Sequence, residues 1–297
     1  MSTQTVFRFP TRTSYTKLAL SQESIPAITK HEVLIRIRAV ALNSRDIQVA
    51  TGRYPFPASD NLIPCSDGAG DIVAVGESVR NLTEGDRVVV NFDIENLYGA
   101  QQGWLTCQGG FIDGVLAQYV VRPASSVVKV PATAPQSYSE LASLVCAGVT
   151  AWNGLFGNVP LKPGQTVLVQ ASRALELVGD KGIDHIIEIG GVGTIEQSLK
   201  AIAYGGVISV IGYLAEYDES KMPNVPLLAL GKTAVVRGVL IGPKCMLEDL
   251  VTFADRAKLK IPVEKEYGYT RDNIVAAYKE LETGGFGKIC IRLDSNI

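Results

Sequence analysis

TVLVQASRALELVGDKGIDHIIEIGG, residues 166–191, holds two apolar runs, TVLVQ (166–170) and HIIEIG (185–190), on either side of a short helical segment, ALELVGD (174–180). Strand, helix, strand is the unit of a parallel sheet with crossover helices. The pattern continues downstream, where TIEQSLKAIA (194–203) reads as a helix and VISVIGY (207–213) and AVVRGVLIG (234–242) read as strands. Upstream, Ser137 and Glu140 form a capping box, and LASLVCAGVTAWNGLF behind it keeps a helical apolar stripe until Gly157. The stretch DNIVAAYKELETGGFGKICIRL (272–293) reads as one more helix, a glycine turn and a closing strand.

Before Pro135 the texture is different. EVLIRIRAVAL (32–42) alternates, with Val33, Ile35, Ile37 and Ala39 on one face and Arg36 and Arg38 on the other, which is strand periodicity. Further short β-rich runs follow at 69–76, 86–92, 116–121 and 126–130, separated by Gly, Asn, Asp and Pro. Many short strands between turn signals predict a barrel or sandwich. Residues 93–114 show no period and carry five glycines, which predicts a long surface loop.

The chain has 297 residues, 46% of them apolar, and 28 basic against 30 acidic side chains leave a formal charge of −2. That length is enough for two domains with cores of their own, and the charge lacks the basic footprint of a nucleic-acid-binding protein. Five dispersed cysteines, no C-x-x-C pair and only two histidines, His31 and His185, argue against a structural zinc knot and for reduced thiols. No stretch reads as a signal peptide or a bilayer-spanning helix. A cytoplasmic chain with no membrane partner is the expectation.

Seven segments resemble the medium-chain dehydrogenase/reductase superfamily: ALNSRDIQVATGRYP (41–55), IPCSDGAGDIVAVGESV (63–79), EGDRVV (84–89), LVCAGVTAW (144–152), LKPGQTVLVQ (161–170), the IEIGG to IGY region (187–213) and GGFGK (284–288). They run in the family's order over nearly the whole chain. The resemblance implies a chaperonin-10-like catalytic β-barrel over residues 1–133, a Rossmann-like parallel-sheet cofactor domain over 134–260, and a return to the catalytic domain over 261–297. It also implies hydride chemistry with NADP, or NAD, and a small-molecule substrate. Apolar edge strands near 234–242 make a homodimer plausible.

Zinc-dependent members of that family hold a catalytic Zn²⁺ with Cys, His and Cys. The resemblance places Asn43, Ser66 and Cys146 at those positions, and two of the three are poor zinc ligands. The family's structural-zinc lobe would occupy 93–114, where Cys107 stands alone. No metal is expected. Asn43, Asp46, Gly52 and Tyr54 instead resemble the N-x-x-D and G-x-Y-P pattern of the zinc-free quinone-reductase branch. A carbonyl or activated alkene that accepts hydride needs its developing oxyanion stabilised and protonated. Asn43 offers an amide donor, and Tyr54 a phenol that can donate a proton. The competing reading makes Asn43 a loop hydrogen-bonder and Tyr54 a packing aromatic, while Asp46 fixes local backbone.

The cofactor side departs from the family. After TVLVQ there is no glycine-rich turn to hold a pyrophosphate, and only 14 residues, 171–184, precede the next strand. The family would place there further strands and helices, roughly 50 residues by the size of βαβ units. Gly191-Val-Gly193-Thr-Ile-Glu196, with Glu216 some way on, is a weak substitute fingerprint. What remains resembles the nicotinamide end of the pocket: Thr150, Gly190, Gly191, Gly212, Tyr213, Leu240 and Ile241, with Lys288 approaching a phosphate. Plain turn geometry explains each glycine equally well. His185 reads as structural. Two readings follow. Either the sequence as given omits a segment between Gln170 and Ala171 and the protein is a zinc-independent NAD(P)H oxidoreductase, or the deletion is genuine. In the second case the chain is a shortened, non-catalytic homologue that binds a small molecule or partner. The first is preferred because a parallel sheet that loses strands exposes its edge.

Overall fold

The computed structural model describes residues 2–169, 181–213, 220, 222–284 and 286–293. The expected helix at 174–180, the Gln170–Ala171 junction and Glu216 lie outside the described residues. The chain divides into two compact units, Met1–Val149 with Pro243–Ile297, and Thr150–Gly242. The sequence reading drew its boundaries at 133/134 and 260/261.

The first unit is built on a seven-stranded sheet. Its central strand β3 (Glu32–Ala41) buries Val33, Ile35, Ile37 and Ala39 and leaves Arg36 exposed, as the alternation requires. The antiparallel partner β4 (Asp67–Val75) runs along nearly all of it on one side; on the other, β6 (Tyr119–Pro123) pairs with its N-terminal half and β13 (Lys288–Arg292) with its C-terminal end. The sheet continues from β4 to β5 (Arg87–Val90) and β7 (Val127–Lys129), and from β13 to the parallel strand β12 (Val263–Gly268). A separate hairpin joins β1 (Thr3–Arg8) to β2 (Ala19–Ser24). The core combines β3 residues with Phe7, Phe9 and Tyr278, the last carried by a C-terminal helix, Arg271–Thr283.

Three further features of this unit matter for the site. Helix α1 (Ser44–Ala50) leaves the end of β3. Helix α2 (Tyr138–Ala142) starts at the expected capping box, with Ser137 Oγ accepting from Glu140 N and Glu140 Oε2 accepting from Ser137 N. The single helix expected behind it is interrupted by a π-turn, Leu144–Gly148, before α3 (Val149–Phe156). Such a turn loosens the regular hydrogen-bond ladder and recurs at functional sites.

The second unit carries a four-stranded parallel sheet in the order β11 (Val235–Gly238), β10 (Ile202–Val210), β9 (Ile183–Glu188), β8 (Val167–Val169). Helix α4 (Ile195–Ala201) crosses between β9 and β10, and α5 (Val225–Lys232) follows β10. Ile183, Ile186, Ile195, Leu199, Ile202 and Ile208 form its core. The strand expected over 234–242 ends at Gly238; beyond it Ile241 adopts φ +50°, a left-handed conformation that a β-branched residue rarely accepts and that ends strand pairing. Among the described residues β8 pairs on one side only, and Val167 and Val169 are 40% and 59% exposed. Helix α6 (Lys244–Arg256) belongs to the first unit and buries Leu247, Leu250, Val251 and Ala254. Among the described residues no helix is long and apolar enough to cross a membrane.

Candidate active site

Asn43 caps α1. Its backbone N–H donates to Asp46 Oδ2 at 2.8 Å, so Asp46 fixes the start of the helix. The Asn43 side chain also reaches beyond the helix. Its Nδ2 donates to Asp67 Oδ2 at 3.0 Å, and its Oδ1 accepts from Lys288 Nζ at 2.6 Å. Lys288 also donates to Leu42 O at 2.8 Å, so its ammonium is directed at the residues around Asn43.

Asp67 is fully buried at the first position of β4. Besides Asn43 it accepts from Ser66 Oγ at 2.7 Å and from the Cys146 backbone N–H at 3.1 Å, a donor that the π-turn presents. The three positions that the family resemblance paired with zinc therefore do converge, and they converge on a carboxylate. Burial, with Asp67 adding to it, pushes the Cys146 thiol up to about 12, which keeps it protonated. With the Asn43 carbonyl given to an ammonium and the Ser66 hydroxyl to Asp67, this donor set does not fit a three-ligand zinc site. The turn that aims Ser66 and Asp67 is strained: Cys65 has φ +69°. Gly109 and Gly114 pack against it so closely that a Cβ on either would lie 2.5 Å or less from Cys65 backbone atoms.

The loop expected to replace a structural-zinc lobe is tied by another buried carboxylate. Asp93 accepts from Glu95 N at 2.9 Å, from Thr106 Oγ1 at 2.7 Å and from Gln101 Nε2, and the Cys107 thiol donates to it at 3.4 Å.

Tyr54 lies just beyond α1, its backbone N–H held by Gln48 O. Its ring meets Phe56 and Trp104 at centroid distances of 5.4 and 6.4 Å, and Phe56 stacks on Trp104. Burial pushes its phenol upward while the neighbouring Arg45 guanidinium opposes the shift. The sequence reading passed over Arg45 and Asp67. An arginine in the first turn of a short apolar helix was the available signal for the former; nothing local marks Asp67 as a junction of three donors.

Asp46 yields a pH prediction. Burial, the largest effect, pushes its carboxyl up to about 6, with Arg45 opposing. An unfolded aspartate titrates near about 3.9. The folded state thus holds a proton between those values that the unfolded state has lost. The resulting stability is complete below about pH 4 and is lost as pH rises through about 6. Asp46→Asn, which keeps an acceptor for Asn43, should gain about 2–3 kcal/mol relative to the parent between pH 4 and pH 7. Urea unfolding of both proteins at both pH values checks this; parallel changes would refute it.

In the second unit Gly190 and Gly191 follow β9, and Gly212 and Tyr213 follow β10, at the strand ends where open parallel sheets bind ligands. A Cβ on Gly191 would sit 3.3 Å from Tyr213 Cα, and one on Gly212 would sit 3.2 Å from Ile189 O, so these two loops touch through glycine. Ile241 O accepts from Asn153 Nδ2 at 2.7 Å, and Leu240 and Thr150 are half-buried. Glu188 is the residue that organises this edge. Its carboxylate accepts from Gly190 N at 2.8 Å, Gly191 N at 3.1 Å, and the Thr194 and Ser198 hydroxyls. The first backbone donor of the partial fingerprint, Gly191 N, is therefore taken by the chain's own carboxylate, as is Thr194 Oγ1, which argues against that stretch as a pyrophosphate site. His185 is buried in β9, and burial lowers its pKa.

A barrel-type sheet unit and a parallel α/β unit, with a polar cluster at the start of α1, define an alcohol dehydrogenase-like oxidoreductase. The chain belongs to the medium-chain dehydrogenase/reductase superfamily. The alcohol dehydrogenase GroES-like domain family matches residues 29–132. A zinc-type alcohol dehydrogenase-like protein of Schizosaccharomyces pombe is 32% identical, over 89% of this chain and 91% of that protein. The alignment spans 321 positions against 297 residues here, so that relative carries residues with no counterpart in this chain. The crystal structure of a putative alcohol dehydrogenase from Sinorhizobium meliloti matches with a TM-score of 0.85 and 31% identity, covering 99% of this chain and 100% of the other.

Proposed function

We propose that the protein is a zinc-independent, NADP- or NAD-dependent reductase of carbonyls, quinones or activated alkenes. The observation that carries this reading is the Asp67 junction, which locks Asn43, Ser66 and Cys146 by hydrogen bonds where the resemblance would place metal ligands. A bound nicotinamide supplies the hydride. Asn43 has one Nδ2 hydrogen left after Asp67 takes the other, and that hydrogen stabilises the developing substrate oxyanion. Asp67 and Lys288 hold the amide in orientation from opposite ends. Tyr54 supplies the proton. Thr150, Gly190, Gly191, Gly212, Tyr213, Leu240 and Ile241 form the nicotinamide side.

The β8 edge, unpaired among the described residues, and the occupied amides at Gly190 and Gly191 favour a second reading, a shortened homologue that binds a small molecule without turnover. One experiment separates the two. Enone and quinone reduction with NADPH is assayed in the presence of a chelator for the parent, Tyr54→Phe and Cys146→Ala. The reductase reading expects chelator-resistant activity, a loss of about 10²-fold in kcat/KM for Tyr54→Phe, and an effect of Cys146→Ala chiefly on stability. Full inhibition by the chelator, or equal rates in all three proteins, would remove the zinc-free Tyr54 mechanism. No turnover and no rise in Tm with NADPH would leave the binding homologue.

A further inference from the structure

Two arginines in the first unit are deeply buried, and their surroundings differ. Arg122 is bound on every side: Nε to Gln108 Oε1, Nη1 to Val121 O, and Nη2 to Asp113 O and Gly114 O. That is how a structural guanidinium satisfies its donors. The Arg45 side chain is 9% exposed, and its Nε, Nη1 and Nη2 are all buried without a hydrogen-bond partner. Its Cζ lies 4.7 Å from the Phe92 ring centroid and 5.1 Å from that of Tyr54, so the two rings cover the guanidinium and the Tyr54 phenol is its nearest polar neighbour outside α1. Asp46 Oδ1 stands 4.0 Å from Nη1, beyond hydrogen-bond reach, and is itself unpartnered.

We propose that Arg45 binds the carboxylate of the substrate, and that the substrate is an unsaturated or keto monocarboxylate with a flat apolar body. The guanidinium fork matches two carboxylate oxygens, and such a pair satisfies the donors that the chain leaves empty. Gly110 packs directly against the guanidinium, since a Cβ there would lie 2.3 Å from Arg45 Nη2, so the position of Arg45 depends on a glycine at 110. Phe92 is buried and Tyr54 is half-buried, so approach is from the Tyr54 side, where Phe56 and Trp104 supply an aromatic wall for the ligand's body. A neutral ligand of the same shape leaves Arg45 with only the Asp46 carboxylate 4.0 Å away and binds more weakly. This rests on the Tyr54 end of α1 being the substrate side, as in the proposed function, but needs no bound cofactor.

Calorimetric titration with sodium cinnamate and with cinnamamide, two ligands of one shape differing in charge, tests it without any turnover. The parent is expected to bind cinnamate about 10²-fold more tightly than the amide. Arg45→Met should abolish the preference, and Arg45→Lys should retain part of it. Equal affinities, no heat from either ligand, or a preference that survives Arg45→Met would overturn the proposal. The comparison of ligands on the parent stands even if a variant fails to fold. A charge preference without NADPH turnover sinks the reductase reading alone; turnover of neutral enones without a charge preference sinks this one alone.

Discussion

Asp67→Ala is expected to lower the unfolding free energy by about 4 kcal/mol, as judged by urea denaturation. Asp67 is fully exposure-protected and accepts from the Asn43 amide, the Ser66 hydroxyl and the Cys146 backbone N–H. Alanine leaves these donors facing a small void, and an unsatisfied buried donor costs about 1–3 kcal/mol. Some of that loss is recovered if water enters. Asp67→Asn keeps one acceptor oxygen and should lose about half as much. A loss below about 1 kcal/mol for alanine would mean that the three donors find other acceptors.

Glu188→Ala is expected to cost about 3 kcal/mol in the second unit. Glu188 closes β9 onto α4 through two backbone amides and two hydroxyls. Without it the turn at Gly190 and Gly191 has no acceptor. Glu188→Gln, which preserves one oxygen, should fall between the parent and alanine. Loss of amide-exchange protection centred on residues 190–198 would locate the effect, and unchanged protection there would disprove the role.

The strands whose two faces differ were legible. β3 alternates in sequence because one of its faces is core, and β8 to β10 read as apolar because they lie in a parallel sheet. β2 and β12 were missed for the opposite reason: ALSQES and VEKEYG show no apolar face, and they are held by pairing along an edge. Helix α6 was missed although Leu247, Leu250, Val251 and Ala254 recur at helical spacing. At the site, Asp46 was legible as a residue that fixes local backbone, while the helix it starts was not read. Asp67 and Lys288 were not legible in their present roles, because partners 24 and 245 residues from Asn43 meet only through the sheet, whereas Arg45 was local and was passed over. The absence of a glycine turn after β8 was plain in the sequence. Its structural counterpart is the exposed Val167 and Val169 on an edge that is unpaired among the described residues.

The pairing of β3 with β13 sets the order in which the molecule can be assembled. Cys290 and Ala41 are direct neighbours in that ladder, though nearly the whole chain separates them. During synthesis the second unit, contiguous from Thr150 to Gly242, emerges complete while the first still lacks β12 and β13. Until those strands emerge from the ribosome, the end of β3 at Ala39–Ala41 has one open edge, and Lys288 has not reached Asn43. Closing so long a loop is slow, and the waiting edge is open to mispairing. The candidate active site is therefore among the last parts of the protein to exist.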